Sequence, residues 1–122
     1  MLEGIVANAT LQKLQAGIAF TARRHELIAN NIANVTTPGF RAKDLSERKF
    51  IETLERTGRA GSEGMSVIDS PDAGPPRDDG NNVSIESEMS KLSGNAIMHN
   101  VLISLLSKQF RMLESALRER IV

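Results

Sequence analysis

The chain has 122 residues, of which 40% are hydrophobic and 25% charged, a balance typical of one ordinary globular domain. Its 15 Lys and Arg residues are matched by 15 Asp and Glu residues, so there is no net charge with which to hold nucleic-acid phosphates or anionic lipid. We therefore expect protein partners, without nucleic-acid binding or membrane insertion. The absence of cysteine excludes disulfides, thiolate metal sites and thiol nucleophiles.

The first element along the chain is predicted to be a long amphipathic helix. Apolar residues recur at alternating steps of three and four, the pattern of a coiled-coil seam, until Pro38-Gly39 stops the helix. At 1.5 Å per residue such a helix would be about 48 Å long. The predicted seam contains Leu11, Leu14, Ile18 and Ile28, with Thr21 and His25 on the same face.

Two shorter features are predicted in the middle of the chain. A short helix around Glu47 to Arg56 would have one apolar face. After it, five glycines and three prolines lie between residues 58 and 82, which is typical of a flexible linker. Within this linker we expect at most a short extended piece at residues 65–68.

The last predicted element is a second long helix, about 52 Å in length, which begins after Ser84. Ser84 can cap its first turn, and Glu86 and Glu88 suit the positive end of the helix dipole. Apolar residues step by four and three throughout. This predicted seam contains Met89, Leu92, Ile103, Leu106, Phe110, Leu113 and Leu117, with His99 on the same face.

A second apolar stripe on this helix exceeds what one partner helix can cover. It contains Ile97, Val101, Leu105 and Met112. Either the short helix covers the stripe within the monomer, or other copies cover it in an assembly. The short helix is too small for so long a surface, so we expect the second arrangement.

These elements predict a single all-α structural domain. Residues 1–57 would hold the N-terminal axial helix, a turn and the short helix, residues 58–82 the flexible linker, and residues 83–122 the C-terminal axial helix. Two long seams joined in this way predict helix-on-helix packing as the basis of the fold.

No residue pattern predicts catalysis. His25 and His99 lie on seam positions where a pair could bind a metal or sense pH, but neither has a second ligand three or four residues away. The chain has no nucleophile elbow, no clustered acid pair and no Gly-Lys-Ser/Thr phosphate loop. We therefore expect a protein that is not an enzyme and has no catalytic residue, no cofactor and no metal.

The most informative segment is the end of the first helix. It is rich in asparagine and threonine, which are poor helix formers whose side chains compete for backbone hydrogen bonds. In Thr37-Pro38-Gly39-Phe40, proline fits the first central position of a type II turn and glycine the second, where φ is positive. The candidate assembly residues of this motif are Asn30, Asn31, Ile32, Asn34, Thr37, Pro38, Gly39 and Phe40.

This motif closely resembles the N-terminal signature of the bacterial flagellar axial proteins, the rod, hook and hook-associated family. In that family an Asn-rich helix end runs into Thr-Pro-Gly followed by Phe or Tyr. The stretch Asp79-Gly80-Asn81-Asn82-Val83 before the terminal helix narrows the resemblance to the proximal rod proteins. Residues 58–78 are short for the family, and Ser84 stands at a capping position that is commonly acidic.

The resemblance implies a structural subunit that self-assembles helically with other flagellar rod proteins and transmits torque. It implies two further partners, the adaptor that joins the rod to the inner-membrane ring and the flagellar type III export apparatus. The N- and C-terminal helices are then expected to pair as an antiparallel coiled coil. The location would be the basal-body rod in the periplasmic space, and the acidic Glu3 near the start agrees with export without a cleaved signal peptide.

Other interpretations of the same residues are another rod protein of this family, a small helical export chaperone or adaptor, and a helix-turn-helix DNA-binding protein. A chaperone has no reason to carry Thr37-Pro38-Gly39-Phe40. A DNA-binding protein needs a basic recognition helix, whereas the residues after Phe40 mix both signs of charge.

Overall fold

The computed structural model describes residues 2–59 and 61–121, without the side chains of residues 2–7, 62 and 121. Met1 and Val122, the outer limits of the two predicted axial segments, lie outside the described residues. In chain order the elements are α1 (Leu2–Ala33), β1 (Lys43–Leu45), α2 (Glu47–Thr57), a short 3₁₀ turn (Ser62–Gly64), β2 (Val67–Asp69) and α3 (Ile85–Ile121).

The two long helices pack against each other along their length, and they run in opposite directions. Gly17 in α1 lies against Leu102 in α3, while Asn31 further along α1 bonds to Glu88 near the start of α3. The predicted all-α class with an antiparallel pair of terminal helices is confirmed. The 37 residues of α3 make it about 55 Å long.

A two-stranded antiparallel sheet is the main addition to the predicted architecture. Its register pairs Lys43 with Asp69, Asp44 with Ile68 and Leu45 with Val67. Each strand has only three residues, too few for an alternating pattern to appear in the sequence. The expected extended piece overlaps β2, but β1 was not predicted. The middle segment is therefore tied to the helix pair by a sheet, which differs from the predicted flexible linker.

The apolar core lies between α1 and α2. Phe20 and Phe50 stack with ring centroids 4.4 Å apart, and Ala16, Leu27 and Leu45 complete the cluster. Among the described residues α2 contacts α1 and the 3₁₀ turn but makes no packed contact with α3. The short helix therefore does not cover the second apolar stripe, and the first of the two arrangements considered for that stripe is wrong.

The predicted cap of α3 is present, and α2 has a similar cap that was not predicted. The Ser84 hydroxyl accepts a hydrogen bond from the Ser87 backbone N–H at 3.3 Å, which caps α3. Ser46 caps α2 in the same way through the Lys49 N–H at 3.2 Å. Gly58, with φ of 71°, ends α2 in the left-handed conformation that glycine adopts without strain.

Candidate assembly site

Asn31 lies at the junction of both long helices and the sheet. Its side-chain amide donates to the Lys43 carbonyl at 2.8 Å and to a Glu88 carboxylate oxygen at 3.0 Å. Its side-chain oxygen accepts from the Lys43 N–H at 3.0 Å. The residue is completely buried, so these bonds replace all contact with water. Asn31 therefore joins α1, β1 and α3 through one side chain.

Glu88 continues this contact into a small charged cluster. Its other carboxylate oxygen lies 3.4 Å from Lys91 Nζ, and Lys91 also pairs with Asp72 at 2.6 Å and donates to the Ser70 hydroxyl at 2.7 Å. Burial raises the pKa of Asp72, but hydrogen bonds from Lys91 and Ser70 outweigh burial and hold that pKa below its ordinary value. Five polar side chains, including Asn31, thus tie the loop after β2 to both long helices.

A second charged contact ties α1 to the start of α2. The Arg24 guanidinium donates to both Asp44 carboxylate oxygens, at 2.9 and 3.0 Å, and to Glu47 at 3.0 Å. Burial disfavours the charged guanidinium, but Asp44 outweighs that effect and the pKa of Arg24 is raised. A bidentate pair of this kind fixes orientation as well as distance. The bidentate pair therefore fixes β1 on α1, and the contact with Glu47 extends it to the first residue of α2.

The Thr-Pro-Gly-Phe turn has the predicted geometry. The Phe40 N–H donates to the Thr37 carbonyl at 3.2 Å, and Gly39 has φ of 75°, as the second central residue of a type II turn requires. Asn34 supports the turn from the helix end, because its side-chain oxygen accepts from the Thr37 hydroxyl at 3.1 Å.

This turn is held by the Asp-Gly-Asn-Asn-Val stretch, which lies 40 residues further along the chain. The Asn81 side-chain amide donates to the carbonyls of Asn34 and Thr37, both at 2.9 Å, and its oxygen accepts from the Val83 N–H at 2.8 Å. The Asn82 oxygen accepts from the Ala42 N–H at 2.7 Å, an interaction that spans the 40 residues. We name residues 34–40 and 77–83 the asparagine clasp.

The two glycines of the clasp approach each other closely. The Gly39 N–H donates to the Asp79 carbonyl at 2.8 Å. Gly80 has φ of 84°, and a Cβ atom at this position would lie 3.3 Å from the Gly39 Cα. Both the backbone conformation and the available space at Gly80 therefore favour glycine.

Polar layers also occur in the middle of the helix pair. The Asn95 side-chain amide donates to the Thr21 carbonyl at 2.8 Å, and His99 Nδ1 lies 2.6 Å from the Thr21 hydroxyl oxygen. His25 is exposed, and it lines an open cavity of about 380 Å³ with Glu26 and these three residues. Among residues 2–59 and 61–121 no group of three His, Asp or Glu side chains is arranged to hold a metal ion.

The residues of α3 that contact α1 coincide with the predicted seam at every second seam position. At the alternate positions they lie one residue earlier in the chain than predicted. Glu88 and Asn95 are buried, and Leu102 touches Gly17, whereas Met89 and Ile103 are exposed. Leu92, Leu106 and Leu113 are half-buried, so they belong both to the predicted seam and to the face that contacts α1. The predicted seam residues Phe110 and Leu117 are exposed, like Met89 and Ile103. The shift arises because Glu88 and Asn95 form hydrogen bonds that apolar periodicity cannot reveal. Whether the exposed members form a seam in an assembly stays a prediction.

The predicted seam and motif residues of the N-terminal part also differ in how deeply they are buried. Ile28 is fully buried, and Leu11, Leu14 and Ile18 are half-buried. Within the motif, Asn31 is buried, while Asn30, Thr37, Pro38 and Gly39 are exposed; Ile32, Asn34 and Phe40 are half-buried. The turn is thus part of the surface, and Asn31 belongs to the interior.

Sequence reasoning did not single out Asp44, Lys91 and Ser70, and it treated Glu88 only as a helix-dipole residue. The Asn81-Asn82 pair was noted for its resemblance and not for its contacts. A signal was present in the polar residues at seven-residue spacing, Glu88 and Asn95, between apolar neighbours. Such spacing places both on one helix face.

An outer apolar face remains on α3 beyond all these contacts. It is formed by five large side chains that are 45–66% exposed: Ile97, Met98, Val101, Leu105 and Met112. Full burial of each such side chain would contribute about 1.5–3 kcal/mol. No helix in the described part of the chain is long and apolar enough to cross a membrane.

Comparison with known proteins connects this geometry to one family. The family model for flagella basal body rod proteins matches residues 6–41, the segment that includes most of the first helix, with Asn31, and the turn. The flagellar basal body rod protein FlgB of Yersinia ruckeri is 26% identical, over 92% of this chain and 96% of its own. The chain is similar over most of its length to flagellar basal body rod proteins of the FlgB type. FlgB of Bacillus subtilis is 27% identical over 90% of this chain and 94% of its own length. FlgB of Escherichia coli is 27% identical over 85% of this chain and 89% of its own length.

These relatives extend over both the N-terminal motif and the C-terminal helix, so the resemblance is not confined to residues 6–41. Their shared name is that of a flagellar basal body rod protein.

Proposed function

We propose that this rod subunit occupies the proximal part of the flagellar rod, where it assembles helically with further copies and other rod proteins and transmits torque through packing. The observation that carries the proposal is the outer apolar face of α3, which nothing within the described chain covers. Exposed apolar surface of this extent is typical of a protein interface.

The geometry favours an open-ended assembly. The outer face runs from Ile97 to Met112, about 22 Å along α3, so neighbouring subunits can pack side by side on it. A face that packs on a different surface of the next copy generates a helical array and not a closed dimer. The predicted seam residues Met89, Ile103, Phe110 and Leu117 are also exposed, on another side of α3, and are proposed to contact a further neighbouring subunit.

The asparagine clasp supplies stiffness at one end of the helix pair. Its backbone and side-chain hydrogen bonds lock the Thr-Pro-Gly turn against the start of α3. We assign the exposed residues of the turn, including Pro38 and Gly39, to contacts with neighbouring subunits. A rigid junction of this kind would pass torque from one subunit to the next without local unfolding.

The proposed partners beyond the rod are the adaptor that joins the rod to the inner-membrane ring and the flagellar type III export apparatus. The proposed location is the rod in the periplasmic space. These assignments rest on the resemblance to rod proteins. A structural role without catalysis agrees with the names of the relatives, which describe rod proteins.

The test is deletion of the gene followed by complementation. We expect nonmotile cells whose basal bodies retain the inner-membrane ring but have no rod. Complementation with Leu105→Asp should fail to restore rods, because a charge would interrupt the outer apolar face. Leu105→Met, which keeps the face apolar, should restore swimming and serves as the matched control.

Complete rods in the deletion strain would contradict the proposal. If such a strain also lost secretion of another flagellar protein, an export chaperone or adaptor would be the better assignment. Rod assembly by Leu105→Asp at normal cellular levels would leave the rod role standing but refute the role of the outer apolar face.

A further inference from the structure

The α3 helix has two faces that could pack against α1, and they share four residues. The common residues are Leu92, His99, Leu106 and Leu113. The face that contacts α1 adds Glu88, Asn95, Leu102 and Gln109, whereas the adjacent face adds Met89, Ala96, Ile103 and Phe110. Each set repeats every seven residues. A rotation of α3 by about 50° about its own axis would exchange the two faces.

Hydrophobic burial alone favours the face that is not used. The adjacent face contributes four apolar residues, and the observed face contributes one apolar residue and three polar ones. Met89, Ile103 and Phe110 remain 42–52% exposed as a result. Because apolar burial is the main driving force of helix packing, some other interaction must select the observed face.

Buried hydrogen bonds supply that selection. Glu88 is 2% exposed and accepts from Asn31, and Asn95 is 6% exposed and donates to the Thr21 carbonyl. Among the described residues no buried side-chain nitrogen or oxygen lacks a hydrogen-bond partner. Polar residues at seam positions are known to select one helix arrangement over others at some expense of stability.

We propose that the buried contacts of Asn31 with Glu88 and of Thr21 with Asn95 select the polar-rich face of α3 for α1 and so keep the adjacent apolar residues exposed. Asn31 is the decisive residue, because its amide donates to Glu88 and is itself oriented by the backbone of β1. The use of the exposed residues in assembly rests on the proposed function, but the selection of the face does not.

The absence of cysteine allows a direct test in the isolated full-length chain. One variant carries Gly17→Cys with Leu102→Cys, two positions in contact across the observed face. The other carries Gly17→Cys with Ile103→Cys, which reports the rotated arrangement. Disulfide yield is measured for both at about pH 8, where thiols oxidise readily, and helix content is followed by circular dichroism.

We expect the pair 17 and 102 to form the disulfide in the otherwise unchanged chain, with at least about tenfold greater yield than the pair 17 and 103. Asn31→Asp keeps the size of the side chain but places a second carboxylate against Glu88. Like charges at this distance repel strongly. The yield ratio should therefore reverse in favour of position 103 while helix content is retained.

Glu88→Gln provides the matched rescue. In the Asn31→Asp background the glutamine amide can donate to the new aspartate, whereas the bond to the Lys43 carbonyl stays lost, so the preference for position 102 should return in part. In an unfolded chain the neighbouring positions 102 and 103 would give similar yields, so loss of folding predicts a ratio near one and no reversal.

An unchanged ratio, a ratio near one, or a reversal that Glu88→Gln does not correct would each overturn the proposal. None of these outcomes depends on rod assembly. Conversely, a deletion strain with complete rods would refute the proposed function without affecting the disulfide result.

Discussion

The two ends of the helix pair differ sharply in how their side chains are used. At the clasp end lie the largest fully buried side chains of the described structure, Ile28, Asn31, Asn81 and Val83. At the opposite end, α3 after Leu106 contains no buried side chain among those described. The comparison indicates that one end is completed within a single chain, whereas the other exposes surface that neighbouring subunits can cover.

The polarity of the contacts also differs between these ends. Hydrogen bonds from Asn31, Asn34 and Asn81 dominate at the clasp, where backbone groups of the turn need partners. The far half of α3 instead exposes apolar side chains, among them Leu105, Phe110 and Met112. Hydrogen bonds require particular atoms at particular distances, whereas apolar packing tolerates variation. We therefore expect the clasp end to fix the relative orientation of the chain segments, and the far end to supply apolar surface for contacts between subunits.

Among the variants that test this difference between the two ends, Asn81→Ala is expected to lower the free energy of unfolding most. It removes three hydrogen bonds and leaves the Val83 N–H without its partner in a buried position. We expect the free energy of unfolding to fall by about 3 kcal/mol, measured by urea denaturation. Asn100→Ala, at an exposed position of α3, should change it by less than about 0.5 kcal/mol. Equal effects of the two variants would refute the importance of the clasp.

Gly80→Ala is expected to have a smaller effect. Alanine must adopt positive φ and its Cβ would lie 3.3 Å from the Gly39 Cα, so the free energy of unfolding should fall by about 1–2 kcal/mol. Gly74→Ala is the control, because its φ is not in the left-handed range and a Cβ there meets nothing within 4 Å. A thermal midpoint of Gly80→Ala equal to that of Gly74→Ala would contradict the close packing of the two clasp glycines.

A weaker, pH-dependent effect is expected at Asp72. Since its pKa is lower in the folded chain than in the unfolded chain, its stabilising contribution is present above the unfolded pKa of about 3.8 and is lost as pH falls through the folded value. The carboxylate is largely exposed, so solvent keeps the contribution below about 1 kcal/mol. Asp72→Asn should reduce the pH dependence of unfolding below about pH 4, and an unaltered profile would show that the Lys91 pair contributes nothing.

The smallest effect on the isolated chain is expected at the outer apolar face, in the half of α3 that lies farther from the clasp. Leu105→Asp changes an exposed side chain, so the free energy of unfolding should change by less than about 0.5 kcal/mol in the monomer. Comparing the stability of this variant with its ability to restore rods in the complementation test distinguishes an effect on folding from an effect on assembly. A loss above about 2 kcal/mol would mean that Leu105 is needed for the fold of the monomer and that the two ends are not distinct in the way described.

Much of the architecture was accessible from sequence, for identifiable physical reasons. Alternating steps of three and four residues are sustained over more than 30 residues in each long helix, and so regular a pattern outweighs local ambiguity. Thr37-Pro38-Gly39-Phe40 predicted its turn because proline and glycine restrict φ locally. The strand at Lys43–Leu45 was missed because its pairing with Val67–Asp69 is a tertiary interaction between very short segments.

The amino-acid sequence by itself determined the two long helices, the turn and the resemblance to rod proteins, since each depends on residues close together in the chain. Tertiary structure decided which face of α3 packs on α1 and which asparagines are buried. Apolar periodicity places Met89 and Ile103 inward, yet the hydrogen bonds of Glu88 with Asn31 and of Asn95 with Thr21 hold α3 in the other orientation. A buried polar group is stabilised by its partner's position, and that position exists only once distant parts of the chain have come together.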